Sequence, residues 1–282
     1  PLFGVPFLLV NGAFAFGLAD DAFGSSGPKG FRGHLSALRQ GVLTTGMLKM
    51  LGIGSIAVFY GASVAPSVLG RSALGGQAGS SPALTVVAWG LASAVIALSA
   101  NLMNLLDVRP GRALKVYSAL APALAALFGL AVVGSYNADM ASLAAQIDGV
   151  TLGSVEVAAV TVGMVAVVIG PALAVWSADL KERGMLGDSG ANAAGAVLGY
   201  LLTAVLPLAG LAVVAAALLA LNLLSERVSF SVLIERVPVL AWLDRLGGVD
   251  GAAGGQDASG EAVPRMREVR YHAHGDPTTR ED

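Results

Sequence analysis

The 282-residue chain contains no cysteine, which excludes a disulfide scaffold and any cysteine-ligated metal or cluster site. It is also poor in charge. Only 13% of its residues are Asp, Glu, Lys or Arg, against about 25% in average globular proteins. A single soluble domain needs more such groups to keep its surface wet. The net charge of -2 gives no electrostatic case for nucleic acid. What the chain does have is apolar residues, 55% of the total and gathered in long runs, which excludes a disordered chain. These properties together describe an integral membrane protein.

A helix needs roughly 20 mostly apolar residues to cross a bilayer core. Such runs occur near 2–19, 42–65, 83–105, 114–135, 155–177, 191–206 and 208–224. They are continuous and rich in Ala, Leu and Val rather than alternating, which argues against β-barrel strands. The expected fold is therefore all-α, a polytopic transmembrane bundle of about seven spans. Residues 1–19 have no basic n-region and run directly into Asp20 and Asp21, so they do not read as a cleavable signal peptide. Because the chain begins with Pro1, further helices are expected upstream.

Basic residues set the expected orientation. The connections after spans one, three, five and seven carry Lys29, Arg32 and Arg39; Arg109, Arg112 and Lys115; Lys181 and Arg183; and Arg227, Arg236 and Arg245. The opposite connections hold only Arg71. By the positive-inside rule the first group faces the cytoplasm, as does the C-terminus. Three regions follow: a membrane domain over 1–225, a segment over 226–248 and a disordered cytoplasmic tail over 249–282. The middle segment mixes Phe230, Leu233, Leu240 and Trp242 with Glu235, Arg236, Asp244 and Arg245. That mixture suits an amphipathic element at the membrane interface, helical on both sides of Pro238. It equally suits a helix packed on the protein's own face.

Polar residues beside spans mark where chemistry would sit. Asp20 and Asp21 close the first span. Asn101, Asn104 and Asp107 stand at i, i+3 and i+6, along one helix face. Asp188 lies in Gly187-Asp188-Ser189-Gly190 before the sixth span. All three groups fall on the cytoplasmic side by parity, so one shared site is expected. Lys49 is an intramembrane cation, which is costly without a partner, although it could snorkel to the interface. Carboxylate and amide oxygens with few histidines suit a hard cation such as Mg²⁺. Lys29, Arg32, Arg109, Arg112 and Lys115 suit phosphate oxygens. Phosphoryl transfer on a lipid is the chemistry these types would serve. Plainer roles remain open: helix hydrogen bonding for Asn101 and Asn104, topology for the basic cluster, and a turn with a Ser189 cap.

The acid pair, Asn101-x-x-Asn104-x-x-Asp107 and Met185-Leu186-Gly187-Asp188-Ser189-Gly190, in that order, resemble the polyprenyl-phosphate N-acetylhexosamine-1-phosphate transferases (glycosyltransferase family 4). This family includes phospho-N-acetylmuramoyl-pentapeptide transferase and the undecaprenyl-phosphate GlcNAc-1-phosphate transferases. The resemblance covers about residues 10–225. It implies transfer of a sugar-1-phosphate from a UDP-sugar to undecaprenyl phosphate, with Mg²⁺ and release of UMP, at the plasma membrane during cell-envelope synthesis. By position it implies that Asp20 and Asp21 serve the prenyl-phosphate side and proton removal. It further implies metal binding by Asn104 and Asp188, with Asp107 on the nucleotide side.

The chain departs from the family in three places. Pro110 stands where the family has a second acid after the Asn pair. Ser225-Glu226-Arg227 replaces a His-rich loop, which leaves Arg109, Arg112 and Arg227 as substitute phosphate binders. The family's first spans have no counterpart. The expectation is a divergent, Mg²⁺-dependent transferase with Asn101, Lys49, Lys29, Arg109 and Arg112 on the substrate side, and with a homodimer left open. Its alternative is a catalytically degraded relative that binds a lipid phosphate or an envelope partner without turnover. A transporter fits less well, because the acids gather at one surface and no repeat is seen.

Overall fold

A computed structural model describes residues 4–24, 30–70, 81–144 and 154–246. Among them are ten α-helices and no β-strand: α1 (Gly4–Phe23), α2 (Gly30–Arg39), α3 (Thr45–Gly70), α4 (Pro82–Leu106), α5 (Arg112–Ala144), α6 (Ser154–Leu180), α7 (Gly187–Val205), α8 (Leu208–Ser225), α9 (Phe230–Arg236) and α10 (Pro238–Arg245). The tail over 249–282 and Lys29 lie outside the described residues.

Five segments are long and apolar enough to cross a membrane: Thr45–Gly70, Pro82–Leu106, Arg112–Gly134, Val157–Leu180 and Leu208–Ser225. Of the expected spans, the sixth, α7, falls short of that standard, and the first, 2–19, begins outside the described residues. For α7 the cause lies in its composition. It opens with Gly187, Asp188, Ser189, Gly190 and Asn192. Such residues suit a helix surrounded by others more than one facing lipid, and α7 is so placed, packed against α1, α4 and α5. Two further details differ from the sequence reading. A helix, α2, forms in what reads as a connection, and α5 continues to Ala144 past the expected end near 135.

Apolar surface gains little by leaving lipid for protein, so close packing and polar contacts must hold these helices together. Gly195 supplies one close approach: a Cβ there would stand 2.4 Å from the Ser99 carbonyl oxygen of α4. Around it a core of Leu9, Ala13, Ile53, Ala57, Ile96 and Ala196 joins α1, α3, α4 and α7. A second cluster, with Val68, Val95 and Leu211, joins α3, α4 and α8. A third, with Met103, Leu114, Tyr117 and Leu198, ties α5 and α6 to the centre. Single hydrogen bonds pin neighbouring helices. Trp89 Nε1 donates to the Val58 carbonyl at 2.7 Å, Tyr117 Oη to Val168 at 2.9 Å, and Asn101 Nδ2 to Asn222 Oδ1 at 2.6 Å.

After α8 the chain turns back over the α4–α5 junction. α9 ends at Arg236, Val237 is extended, and Pro238 is the first residue of α10, so the segment is helical on both sides of that proline. Arg112, at the start of α5, donates from Nε to Asp244 Oδ1 at 2.7 Å, from Nη2 to Oδ2 at 2.9 Å and from Nη1 to Ser231 Oγ at 3.1 Å. Arg109 pairs with Glu235, and Lys115 Nζ donates to the Asp244 carbonyl at 2.5 Å. The polar side of α9 and α10 is thus fastened to the protein itself.

Candidate functional site

The end of α1, the start of α3, the end of α4 and the start of α7 meet on one face of the bundle. α3 begins there because Thr44 caps it: Thr44 Oγ1 accepts from the Met47 backbone N–H at 3.1 Å and shares a 2.7 Å hydrogen bond with His34 Nδ1. Lys49 follows in the first turns of α3, and its side chain is buried. Nζ lies 2.6 Å from Asp20 Oδ2 and also pairs with Asp188 Oδ2. An ammonium from the second expected span therefore joins carboxylates from the first and sixth. This is the partner that a cation at such depth requires, and Lys49 does not snorkel away.

α7 lacks a cap of its own. Its N-cap position is Leu186, which makes no side-chain cap hydrogen bond. The unpaired amides of its first turn are met instead by acids from other helices. Asp21 Oδ1 accepts from the Asp188 N–H and Oδ2 from the Ser189 N–H, each at 2.9 Å. The Asp107 carboxyl accepts from the Gly187 N–H. The Asp21 carboxylate thus stands at the positive end of the α7 dipole. The cap expected from Ser189 is replaced by Asp21 and Asp107. Asn192 secures the same turn, with Nδ2 donating to the Asp188 carbonyl at 2.6 Å.

Two side-chain oxygens at this junction, Asn104 Oδ1 and Asp107 Oδ1, are buried without a hydrogen-bond partner. Burial, and after it the nearby Asp179 carboxylate, push the Asp107 carboxyl up to about 7. Asp179 itself is 2% exposed. Its Oδ2 accepts from the Gly111 N–H at 2.8 Å while Oδ1 has no partner. The sequence reading passed over Asp179. An acid in the last turn of an apolar span is the signal that would have found it, by the rule applied to Lys49.

Beside the junction runs a groove of about 780 Å³ between α3, α4 and α8. Lys49, Asn101 and Asn104 line it toward the junction, and Ile53, Gly54, Ala97, Leu219 and Leu223 form an apolar wall. Arg32, His34, Glu226 and Arg227 also border it. Asp107 does not line the groove, so the expected row of three oxygens contributes only its first two members. Asn101 is committed to Asn222, whose own Nδ2 donates to the Leu218 carbonyl at 2.8 Å.

Of the residues singled out in the sequence, the structure brings together Asp20, Asp21, Lys49, Asp107 and Asp188, with Asn104 at the edge of the groove. Arg109 and Arg112 face away from it into the ion pairs with Glu235 and Asp244. The Asp244 carboxyl is held below the usual carboxylate range, chiefly by its hydrogen bonds with Arg112. Among the described residues no group of three or more His, Asp or Glu side chains could hold a metal ion. No protein family, curated protein or solved structure matches the chain.

Proposed function

We propose that this chain transfers a sugar-1-phosphate from a UDP-sugar to a polyprenyl phosphate at the cytoplasmic face of the plasma membrane, releasing UMP. One observation carries the reading: Lys49 lines the apolar groove while it holds Asp20 and Asp188 together. An amphiphile with its hydrocarbon along Ile53, Ala97 and Leu219 would bring its phosphate to that ammonium. The ammonium's remaining N–H would donate to the head group there, and apolar walls reduce the competing water.

In the reaction a lipid phosphate oxygen attacks the sugar-bearing phosphorus of the pyrophosphate. A new P–O bond forms, the bond from that phosphorus to the bridging oxygen breaks, and UMP departs with that oxygen and the electron pair. Phosphoryl transfer relies mainly on positioning and charge neutralisation. Lys49 orients the attacking phosphate. Asp21 and Asp107 fix the α7 terminus and with it the Asp188 side chain. The partnerless oxygens of Asn104 and Asp107 fit a hard divalent cation, which takes few protein ligands and completes its shell with water and phosphate. Mg²⁺ held by Asn104, Asp107 and Asp188 would supply charge neutralisation at the pyrophosphate.

The second reading, lipid-phosphate binding without turnover, has its own support. Arg109 and Arg112 are engaged by Glu235 and Asp244 rather than facing the groove. The full chain in detergent, given undecaprenyl phosphate, Mg²⁺ and a panel of UDP-sugars, distinguishes the two. The transferase reading expects UMP release that disappears in Asp188→Asn. No UMP above that variant with any donor, together with Lys49-dependent binding of undecaprenyl phosphate, would replace it with the binding role.

A further inference from the structure

α9 and α10 turn most of their large apolar side chains away from the protein. On the inward side Ser231 and Asp244 meet Arg112 beside buried Phe230 and Ala241, while Glu235 pairs with Arg109 at an exposed edge. Their outward side is apolar: Val239 is 66% exposed and Trp242 61%, and Val232, Leu240, Leu243 and Leu246 are exposed beside them. On a soluble surface such an arrangement would leave a row of large apolar side chains in water.

We infer that the outward face of α9 and α10 is seated in the leaflet that borders the candidate site, at the boundary between head groups and acyl chains. Three observations select lipid as the occupant. Arg112 both clamps Asp244 and begins the Arg112–Gly134 membrane segment, so the patch sits at the level where that segment leaves the hydrocarbon. Arg236 and Arg245 stand in the last turns of α9 and α10, where they would reach lipid phosphates. Trp242 is of the type that favours this depth. An interfacial helix buries its apolar face about 5–10 Å into the leaflet.

The seating also ties the groove to the membrane surface. Glu226 and Arg227, which border the groove, lie directly between α8 and α9. A fixed α9 therefore holds them at head-group level. The inference rests on the membrane character of the chain and not on the transfer reaction, so it and the UMP assay fail independently.

Because the chain has no native cysteine, Val239→Cys and Trp242→Cys each give a single labelling position. The full chain, spin-labelled at either position, is placed in nanodiscs of phosphatidylcholine and phosphatidylglycerol. Collision with oxygen is expected to exceed collision with a water-soluble nickel chelate severalfold at both positions. Nickel access equal to that of a free aqueous label would overturn the proposal. Exclusion of both reagents would also overturn it, since protein would then cover the face. Loss of the exclusion on dilution with unlabelled chain would identify a second copy as that cover, and loss on deletion of 249–282 would identify the tail. An unlabelled measurement guards against damage by the labels. Brominated phosphatidylcholine should quench wild-type fluorescence by a component missing from Trp242→Phe. A well-folded Trp242→Phe with unchanged quenching would count against the seating.

Discussion

The Asp21 carboxylate, on α1, accepts a 2.9 Å hydrogen bond from the backbone N–H of Ser189, in the first turn of α7. Its other oxygen takes the preceding amide, so this side chain closes a helix more than 160 residues away in sequence. Loss of a helix cap costs about 0.5–2 kcal/mol. Asp21→Ala should lower stability by about that amount in thermal unfolding of the detergent-solubilised chain. Asp21→Asn, which keeps one acceptor oxygen, should recover part of it. Unchanged unfolding together with loss of UMP release would give Asp21 a chemical role in place of the structural one.

Lys49 is the cation between Asp20 and Asp188. Removing one member of a buried ionic cluster costs about 3–5 kcal/mol, because the remaining charge is left uncompensated. Lys49→Met should therefore unfold at markedly lower temperature. The triple variant with Asp20→Asn and Asp188→Asn should regain most of the loss, because no net charge is then stranded. A single variant as stable as wild type would mean that some other group neutralises the pair.

These two residues show how far the sequence could be read. Apolar runs of bilayer length are a strong local signal, and they located the helices that carry the site. Parity then put Asp20, Asp107 and Asp188 at one end, which their contacts with Lys49 and the α7 terminus match. The division of labour within the adjacent acids was not legible. Asp20 and Asp21 are chemically identical neighbours, and only the crossing of α1 over α7 sends one to a lysine and the other to backbone amides. Arg109 and Arg112 read as phosphate binders because their partners, Glu235 and Asp244, lie 126 and 132 residues away. Pairing at that separation leaves no periodic trace in the sequence.

Gly195 offers a test of helix packing. A Cβ there would meet the Ser99 carbonyl oxygen at 2.4 Å and the Ala100 Cα at 2.5 Å, both backbone atoms that cannot swing aside. Gly195→Ala should cost about 1–3 kcal/mol, as overpacking does. At Gly90, on α4, a Cβ would meet nothing within 4 Å. Gly90→Ala should be neutral or gain up to about 1 kcal/mol from helix propensity. Equal effects at the two positions in thermal unfolding would contradict the close contact of α4 with α7.

Two shifted acids outside the membrane segments, Asp107 and Asp244, predict opposite pH limbs. Asp107 is raised to about 7, so the folded state holds its proton more tightly than the unfolded chain. Its contribution is complete below about pH 4 and declines as pH rises toward 7. Asp107→Asn should therefore gain stability relative to wild type between those values. Asp244 is lowered by Arg112, so its contribution is complete above the ordinary carboxylate range and fades as pH falls through it. Asp244→Asn should flatten the acid limb. Unfolding temperatures from pH 3 to 8 for the three proteins check both signs.

The crossing at Gly17 has a consequence for chain length. A Cβ there would lie 2.4 Å from the Asp188 carbonyl oxygen, and the acid pair follows within one turn of the same helix. Adding or deleting one residue between Gly17 and Asp20 would swing both carboxylates about 100° around the axis, away from Lys49 and the amides. The stretch 17–21 thus acts as a fixed spacer. The exposed Leu18 within it can be exchanged, but the number of residues cannot change.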